Sequence, residues 1–195
     1  MAAILLAAGQ SRRMGTCKQL LPLAGTTVIG RCLETLQAGG VSDIVVVVSP
    51  AGHDVAETAR RCSGVKTAVN EDPSGDMASS VRCGRDALPA VVRSVIVAPG
   101  DIPLVQPATV QALISTAVHN PSCIIIPTHA GRRGHPLLLP RIILDELAGT
   151  LTLRDVFRSD PGRVIELDVP DAGILLDMDT PEDYRRLTAI STGTG

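Results

Sequence analysis

A cationic, glycine-containing loop follows the first apolar run of the chain. The segment LAAGQSRRMGTCKQLLPL, residues 6–23, contains Gly9, Arg12, Arg13 and Lys18. Glycine allows a backbone to approach phosphate oxygens closely, while backbone N–H groups and Arg and Lys side chains neutralise their charge. The segment therefore predicts a polyphosphate site. The alternative is a flexible surface loop with solvated arginines.

This loop matches neither of the two common phosphate-binding fingerprints. A dinucleotide fingerprint reads GxGxxG, and the run Gly9-Gln10-Ser11 breaks that spacing. A P-loop reads GxxxxGK followed by Ser or Thr, whereas five residues separate Gly9 from Gly15 and Lys18 does not adjoin Gly15. A phosphate site here therefore belongs to another class.

Three aspartates after extended segments are candidate metal ligands. Asp101 follows the apolar run 94–98, and Asp177 and Asp179 alternate, so that in an extended chain they point to the same side. Mg²⁺ is a hard cation that one or two carboxylates hold together with substrate oxygens. These aspartates and the cationic loop predict a metal–triphosphate site. For Asp101 the alternative is a turn aspartate that bonds its own backbone.

Two helix starts bring further polar groups. Thr180, Pro181 and Asp183 supply an N-cap, a first-turn proline and a first-turn acid, so we predict that they begin a helix rather than bind a ligand. The segment DPSGDMASSVRCG opens another helix, whose free N–H groups favour an anion or the polar edge of a ligand. There Ser79 and Ser80 could contact a base or a ribose, and the alternative is helix capping by Ser or Asp.

The segment GRRGHPLLL is a second candidate for anion binding. Arg132, Arg133 and Gly134 precede His135 and Pro136, and an apolar extended run follows them. The two arginines favour an anion. A single histidine is as well explained by a structural role.

Apolar runs alternate with helix-like segments along the whole chain. Strands or extended runs are predicted over 2–6, 44–48, 65–69, 94–98, 123–127, 137–139, 164–169 and 174–176. Helices are predicted over 27–38, 53–62, 77–88, 107–118 and 181–189, with two shorter ones after residue 139. This order predicts an α/β fold, a mostly parallel sheet with helices on both faces and ligands at the carboxyl ends of the strands. We expect one domain over 1–190 and a flexible tail over 191–195.

The composition excludes several classes of protein. The chain has 195 residues, of which 45% are hydrophobic and 19% charged, as is usual for a globular domain. Its formal net charge of −2 argues against nucleic-acid binding. The five cysteines have no metal-binding spacing, so we expect reduced thiols in a cytoplasmic protein. No apolar run reaches the ~18 residues of a membrane helix, so we expect no membrane partner.

Four segments together resemble the MobA-like nucleotidyltransferases, and most closely the molybdenum cofactor cytidylyltransferases. These segments are LAAGQSRRMGTCKQLLPL, APGDIPLV, RGHPLLL and DMDTPEDY, in the family's order. The resemblance implies a three-layer α/β/α, Rossmann-like nucleotidyltransferase fold. It also implies Mg²⁺-dependent transfer of CMP from CTP to the terminal phosphate of molybdenum cofactor, with release of pyrophosphate. A molybdoenzyme would then be the recipient of the product.

The resemblance also implies roles for individual residues. The catalytic residues would be Arg13, Lys18 and Asp101, of which the first two bind the triphosphate. Asp101 matches the main Mg²⁺ ligand and Asp179 the second metal position, which Asp177 could share. The nucleotide-binding residues would be Ala7, Ala8, Gly9, Ser11, Arg13, Lys18, Gly75, Ser79, Ser80 and Asp101. The acceptor-binding residues would be Arg133 and His135.

The details of these motifs favour cytosine as the base. The guanylyltransferase branch typically carries LAGG in the first motif and Asn before the TPE, whereas this chain carries LAAG and Asp179. The loop reads GDMASS, with Asp76 where the cytidylyl branch usually has no acid. The alternatives are a guanylyltransferase, transfer to a sugar phosphate or another small phosphate, and a molybdenum cofactor chaperone without catalysis.

Overall fold

Strands and helices alternate along the chain in the computed structural model, which describes residues 1–9, 14–72, 76–147 and 151–193. The strands are β1 (Ala2–Ala7), β2 (Pro22–Leu23), β3 (Thr26–Thr27), β4 (Asp43–Val48), β5 (Val65–Val69), β6 (Ser94–Pro99), β7 (Ile124–His129), β8 (Arg132–Arg133), β9 (Leu137–Pro140) and β10 (Val164–Asp168). The α-helices are α1 (Val28–Ala38), α2 (His53–Arg60), α3 (Met77–Ala87), α4 (Pro107–His119), α5 (Arg141–Asp145), α6 (Leu153–Ser159) and α7 (Pro181–Thr192). Within these ranges, no helix combines the length and the hydrophobicity that crossing a membrane requires.

One large sheet organises the described residues. Its strands lie in the order β10-β7-β9-β6-β1-β4-β5, and β8 pairs with β7. The central strand β1 is parallel to both β4 and β6, while β9 is antiparallel to β6 and β7. The predicted α/β fold, a mostly parallel sheet between helices, is therefore confirmed.

The core is aliphatic and lies on both faces of this sheet. Along β1, Ala3 and Leu5 face a cluster that includes α1, α2 and α4. Ala2 and Ile4 face the opposite cluster, which includes α3, α5 and α6. This alternation makes β1 apolar throughout, because a parallel strand in the middle of a sheet is covered on both faces.

A third apolar cluster joins the C-terminal helix to the short β2–β3 hairpin. Leu23 and Val28 pack there with Met178 and Leu187. The hydroxyl of Tyr184 on α7 donates to the carbonyl oxygen of Pro22 across 2.6 Å, which fixes the start of α7 beside the segment that follows Lys18. The helix continues to Thr192, so it includes the first two residues of the predicted tail over 191–195.

The predicted extended run over 174–176 is wrong, since most of it lies in a 3₁₀ turn over Ala172–Leu175. The buried Asp171 carboxylate organises this turn, because one oxygen accepts from the backbone N–H of Gly173 at 2.9 Å. The other oxygen accepts from the backbone N–H of Gln106 and from the Thr109 hydroxyl. The turn is thus tied to the start of α4, a contact that a local apolar pattern does not encode.

Candidate functional site

The candidate site lies where parallel strands end at one edge of the sheet. Ala7 ends β1 and is followed by Ala8 and Gly9, while Asn70 follows β5 and Asp101 follows β6. In open α/β sheets, ligands bind in the crevice outside the carboxyl ends of the strands. The sheet therefore places several of the sequence-predicted residues at the edge where a ligand is expected.

Asp101 is held in place by the glycine that precedes it. The backbone N–H of Gly100 donates to the carbonyl of Leu6 at 2.8 Å. A Cβ at Gly100 would lie 2.9 Å from that oxygen, closer than real Cβ atoms come to such an atom. Glycine therefore lets the turn that carries Asp101 press against β1.

Asp179 is positioned by the start of α7. The helix start predicted from Thr180, Pro181 and Asp183 is confirmed. Thr180 and Asp183 also form a capping box, in which each side chain bonds the other residue's backbone N–H. The Asp183 carboxylate also accepts from the backbone N–H of Asp179 at 3.2 Å. Hydrogen bonds from Thr180 lower the pKa of Asp183 below its ordinary value, despite an opposing effect of burial. This keeps Asp183 ionised as the anchor of the Asp179 backbone.

Lys18 joins the two carboxylates. Its Nζ lies 2.6 Å from Asp101 Oδ2 and 2.9 Å from Asp179 Oδ1, and the residue is only 7% exposed. Burial alone would lower the pKa of Lys18, but the hydrogen bonds and charges of Asp101 and Asp179 outweigh it and raise the pKa above its ordinary value. The structure thus brings together three of the predicted site residues from distant parts of the sequence.

The chemistry of this cluster fits a hard divalent cation. Asp101 and Asp179 offer carboxylate oxygens, which Mg²⁺ and Mn²⁺ prefer. No cluster of three or more His, Cys, Asp or Glu side chains suited to a metal occurs in the described ranges. Two carboxylates leave coordination positions for phosphate oxygens of a substrate, so the donor set suits a cation shared with a nucleotide rather than a closed structural site.

Asp177 and Asp179 differ in their exposure and in their described contacts. Asp177 is exposed, whereas the intervening Met178 is fully buried in the third cluster. The charge of Asp177 acts on His135, while the carboxylate of Asp179 binds Lys18. Asp177 therefore lies close enough to the site to influence His135, and its sharing of the second metal position stays a prediction.

Ser79 and Ser80 lie in the first turn of α3 and are bonded to Asn70. The Asn70 Nδ2 donates to both serine hydroxyls, at 2.9 and 3.0 Å, and its Oδ1 accepts from the backbone N–H of Asp72. Asp76 is the N-cap of α3, because its carboxylate accepts from the backbone N–H of Ser79 at 2.6 Å. The acid in the GDMASS loop therefore has a structural role. An anionic N-cap also makes this helix end a poorer place for a phosphate than for a neutral base or ribose.

His135 and Arg133, predicted to bind the acceptor, lie in different environments. The His135 ring is largely buried and its Nδ1 has no hydrogen-bond partner among the described residues. Burial lowers the pKa of His135, although the charges of Asp101 and Asp177 oppose this. Arg133 is exposed on β8 and pairs with Glu166 at 2.6 Å. His135 thus lies close enough to Asp101 and Asp177 to be affected by their charges. The charge of Arg133 is neutralised by Glu166.

Three predicted site residues lie outside the described ranges, and one residue of the site was not predicted. Ser11, Arg13 and Gly75 lie outside the described residues, and their roles remain predictions. Sequence reasoning did not single out Asn70, although it is a polar residue placed directly after an apolar strand. That placement is the signal that could have found it.

The chain resembles known proteins in sequence and in fold. Residues 3–164 match a family model described as the MobA-like NTP transferase domain. The chain is 31% identical to nicotine blue oxidoreductase of Paenarthrobacter nicotinovorans over 94% of each protein. It resembles the crystal structure of Rv0371c from Mycobacterium tuberculosis, with a TM-score of 0.80, 32% identity and coverage of 97% and 98% of the two chains.

Two further structures extend the comparison. A complex of Rv0371c with manganese matches with a TM-score of 0.76 and 30% identity, over 96% of this chain and 97% of that one. A nucleotidyl transferase from Methanothermobacter thermautotroptrophicus matches with a TM-score of 0.84 over 100% and 98% of the two chains. At 24% identity, the latter likeness concerns the fold.

Proposed function

The chain belongs to the MobA-like NTP transferase family, and we propose that it transfers CMP from CTP to the terminal phosphate of molybdenum cofactor. The observation that carries the proposal is the cluster in which Lys18 lies between Asp101 and Asp179 at the carboxyl edge of the sheet. A buried cation and two acids at one point suit the binding of a metal and a triphosphate together. Neither the buried ammonium nor the two carboxylates would suit a neutral substrate.

The proposed reaction is an in-line displacement at the α-phosphorus of the nucleotide. An oxygen of the acceptor's terminal phosphate forms the new bond to that phosphorus. The bond from the α-phosphorus to the bridging oxygen breaks, and pyrophosphate leaves with the electron pair. Such transfers depend mainly on positioning and on charge stabilisation, so no nucleophilic side chain is needed.

The residues of the chain supply charge and orientation for this step. Lys18 would donate to phosphate oxygens and offset the negative charge that grows on the leaving group. Asp101 and Asp179 would hold a divalent cation, which would offset the negative charge of the triphosphate. Arg13, from the sequence, would be a second phosphate contact.

Burial raises the pKa of the Cys32 thiol to about 12, so this nearby cysteine stays a neutral thiol.

The choice of base and acceptor is supported by the sequence motifs. The LAAG and DTPED segments favour CTP over GTP. The neutral hydroxyls of Ser79 and Ser80 behind an anionic N-cap suit the edge of a base. For the metal, the manganese complex of Rv0371c supports a divalent cation in a similar protein, and Mg²⁺ is our proposal for this chain.

Release of pyrophosphate tests the proposal directly. The purified protein is incubated with Mg²⁺, molybdenum cofactor and each of the four NTPs in turn. We expect rapid release with CTP that depends on the acceptor and on the metal. Faster pyrophosphate release with GTP than with CTP would indicate a guanylyltransferase. Release with a sugar phosphate in place of molybdenum cofactor would indicate that the sugar phosphate is the acceptor. Tight binding of the cofactor without pyrophosphate release would favour the chaperone alternative.

A redox activity is the second candidate function. It is favoured by one observation, the 31% identity to a protein named nicotine blue oxidoreductase over 94% of each chain. The dinucleotide spacing is broken in the first loop of this chain, which weighs against a nicotinamide nucleotide there. Catalysed reduction or oxidation of nicotine blue in the presence of the purified chain, without any NTP, would favour this candidate over nucleotide transfer.

A further inference from the structure

The carboxylates proposed to hold the metal are already bonded to a cation that belongs to the chain itself. Lys18 Nζ lies 2.6 Å from Asp101 Oδ2 and 2.9 Å from Asp179 Oδ1, which are distances of charge-assisted hydrogen bonds. The Lys18 side chain is 9% exposed, and those of the two aspartates are 23% and 34% exposed. These charges are thus shielded only partly by water, and a second cation brought to the same oxygens would be repelled by the ammonium.

Backbone contacts also hold together the two segments that carry the carboxylates. The segment of Asp179 is bonded to that of Asp101, because the backbone N–H of Met178 donates to the Asp101 carbonyl at 3.0 Å. The backbone of Asp179 is further fixed by the Asp183 carboxylate. Removal of the ammonium would therefore leave two acids in position for a metal ion.

The backbone of Lys18 is held by contacts of its own, separate from the two carboxylates. The residue begins a 3₁₀ turn over Lys18–Leu20, and its carbonyl accepts from the backbone N–H of Leu21 at 3.3 Å. The four-carbon stem of a lysine rotates freely around such an anchor. A polyphosphate beside the loop would offer new anionic partners for the ammonium.

We propose that Lys18 acts as an exchangeable counter-ion, which occupies the carboxylate pair until a triphosphate draws it away and admits the metal. The inference rests on the proposed function for the presence of a triphosphate. It adds a binding order: free metal binds weakly, and metal and polyphosphate promote each other's binding. By thermodynamic reciprocity, each raises the affinity for the other by the same factor.

Binding of free Mn²⁺, followed by electron paramagnetic resonance without any nucleotide, tests the first part. In K18M we expect Mn²⁺ affinity to rise at least about tenfold, because the repelling charge is lost while the carboxylates remain. K18R keeps the charge and should bind Mn²⁺ as weakly as the natural protein. The matched control is K66M, since Lys66 is the other lysine of the chain and is exposed on β5. Equal Mn²⁺ affinity in K18M and the natural protein would overturn the proposal.

The two lysines allow a second test that needs no variant. Protein labelled with ¹³C at the lysine ε-carbon should give one signal from Lys18 and one from Lys66. Inorganic tripolyphosphate with Mg²⁺ should move the Lys18 signal and leave that of Lys66, whereas Mg²⁺ alone should move neither. Tripolyphosphate carries no base, so the test is independent of CTP. A Lys18 signal that moves equally with Mg²⁺ alone, or with neither addition, contradicts the exchange.

These readouts separate the inference from the proposed function. Coupled binding of metal and tripolyphosphate without pyrophosphate release from any NTP would leave the exchange standing and remove the assigned reaction. Pyrophosphate release from CTP, with metal binding that does not depend on tripolyphosphate, would support the assigned reaction and remove the exchange.

Discussion

The backbone N–H of Met178 donates to the carbonyl oxygen of Asp101 across 3.0 Å. Met178 is fully buried, so this bond lies in a packed part of the molecule. It joins the turn after β6 to the segment that enters α7, and thereby sets how far the two carboxylates of the site can separate. Backbone contacts thus hold the two carboxylate-bearing segments together.

Loss of either carboxylate should reduce turnover strongly. We expect Asp101→Asn and Asp179→Asn each to lower kcat/KM for the NTP by at least ~10²-fold, comparable to the loss of one strong transition-state contact. Asp177→Asn should have a much smaller effect, because its exposed carboxylate is not the one bonded to Lys18. Steady-state pyrophosphate release measures all three. Near-normal rates in the Asp101 and Asp179 variants would refute the assignment, and a large loss in the Asp177 variant would make that residue a metal ligand.

Two glycine-to-alanine changes should separate stability from binding. Gly100→Ala places a Cβ 2.9 Å from the Leu6 carbonyl oxygen, so we expect a loss of roughly 1–3 kcal/mol in the free energy of unfolding. Among the described residues, a Cβ at position 9 would meet no atom within 4 Å, so Gly9→Ala should leave the Tm nearly unchanged. Its methyl group should instead raise the KM for the NTP, because the loop backbone can no longer approach the phosphates as closely. An unchanged KM in Gly9→Ala would count against the phosphate role of this loop.

Asn70→Ala should affect both folding and the nucleotide pocket. It removes the amide that bonds Ser79, Ser80 and the Asp72 backbone, and we expect a loss of about 1–3 kcal/mol in urea unfolding. The KM for the NTP should rise more than kcat falls, since the two serines lose their fixed orientation. Asn120→Ala is a control, because that amide bonds only within α4. It should leave the KM unchanged. A KM that stays normal in Asn70→Ala would show that the serines do not need this support.

Acid should destabilise the protein partly through His135. In the unfolded chain a histidine takes up a proton as the pH falls through about 6.5, whereas burial lowers the pKa of His135 in the folded protein. Between these two values the unfolded state binds more protons, so stability falls as the pH falls through this window. The contribution is fully present above the unfolded pKa.

Comparison of variants at two pH values isolates this effect. The free energy of unfolding should fall less between pH about 7.5 and about 5.5 in His135→Asn than in the natural protein. His53→Asn, which replaces an exposed side chain, should follow the natural protein. Parallel pH profiles for His135→Asn and the natural protein would mean that the imidazole gains its proton as easily in the folded state as in the unfolded one.

Local patterns predicted the fold well where a strand or helix is specified by its own residues. The apolar runs over 2–6, 44–48 and 94–98 became β1, β4 and β6, and the predicted helix starts at Pro107 and Pro181 are as expected. The position of β9, antiparallel between β6 and β7, was not predictable from three leucines, because strand direction depends on long-range pairing. The 3₁₀ turn over Ala172–Leu175 likewise depends on the distant contacts of Asp171.

The site was predictable by residue type and less so by geometry. Lys18 belongs to a cationic loop, Asp101 follows an apolar run, and Asp179 alternates with Asp177. The structure brings the three residues together. By spacing alone, Asp177 and Asp179 are equivalent. The bond from Lys18 to Asp179 distinguishes them. The bonds from Lys18 to Asp101 and Asp179 were not predictable from local patterns, because they join residues 83 and 161 positions apart in the sequence.

The sparse aromatic content of the chain makes Tyr184 a natural spectroscopic reporter. The chain has one tyrosine and no tryptophan, and the phenol is bonded to the Pro22 carbonyl between α7 and the β2–β3 hairpin. Its ultraviolet emission therefore originates at the junction that holds Asp179 near the Lys18 segment. A change in that emission on addition of metal and nucleotide would report binding near this junction in real time, without any introduced label.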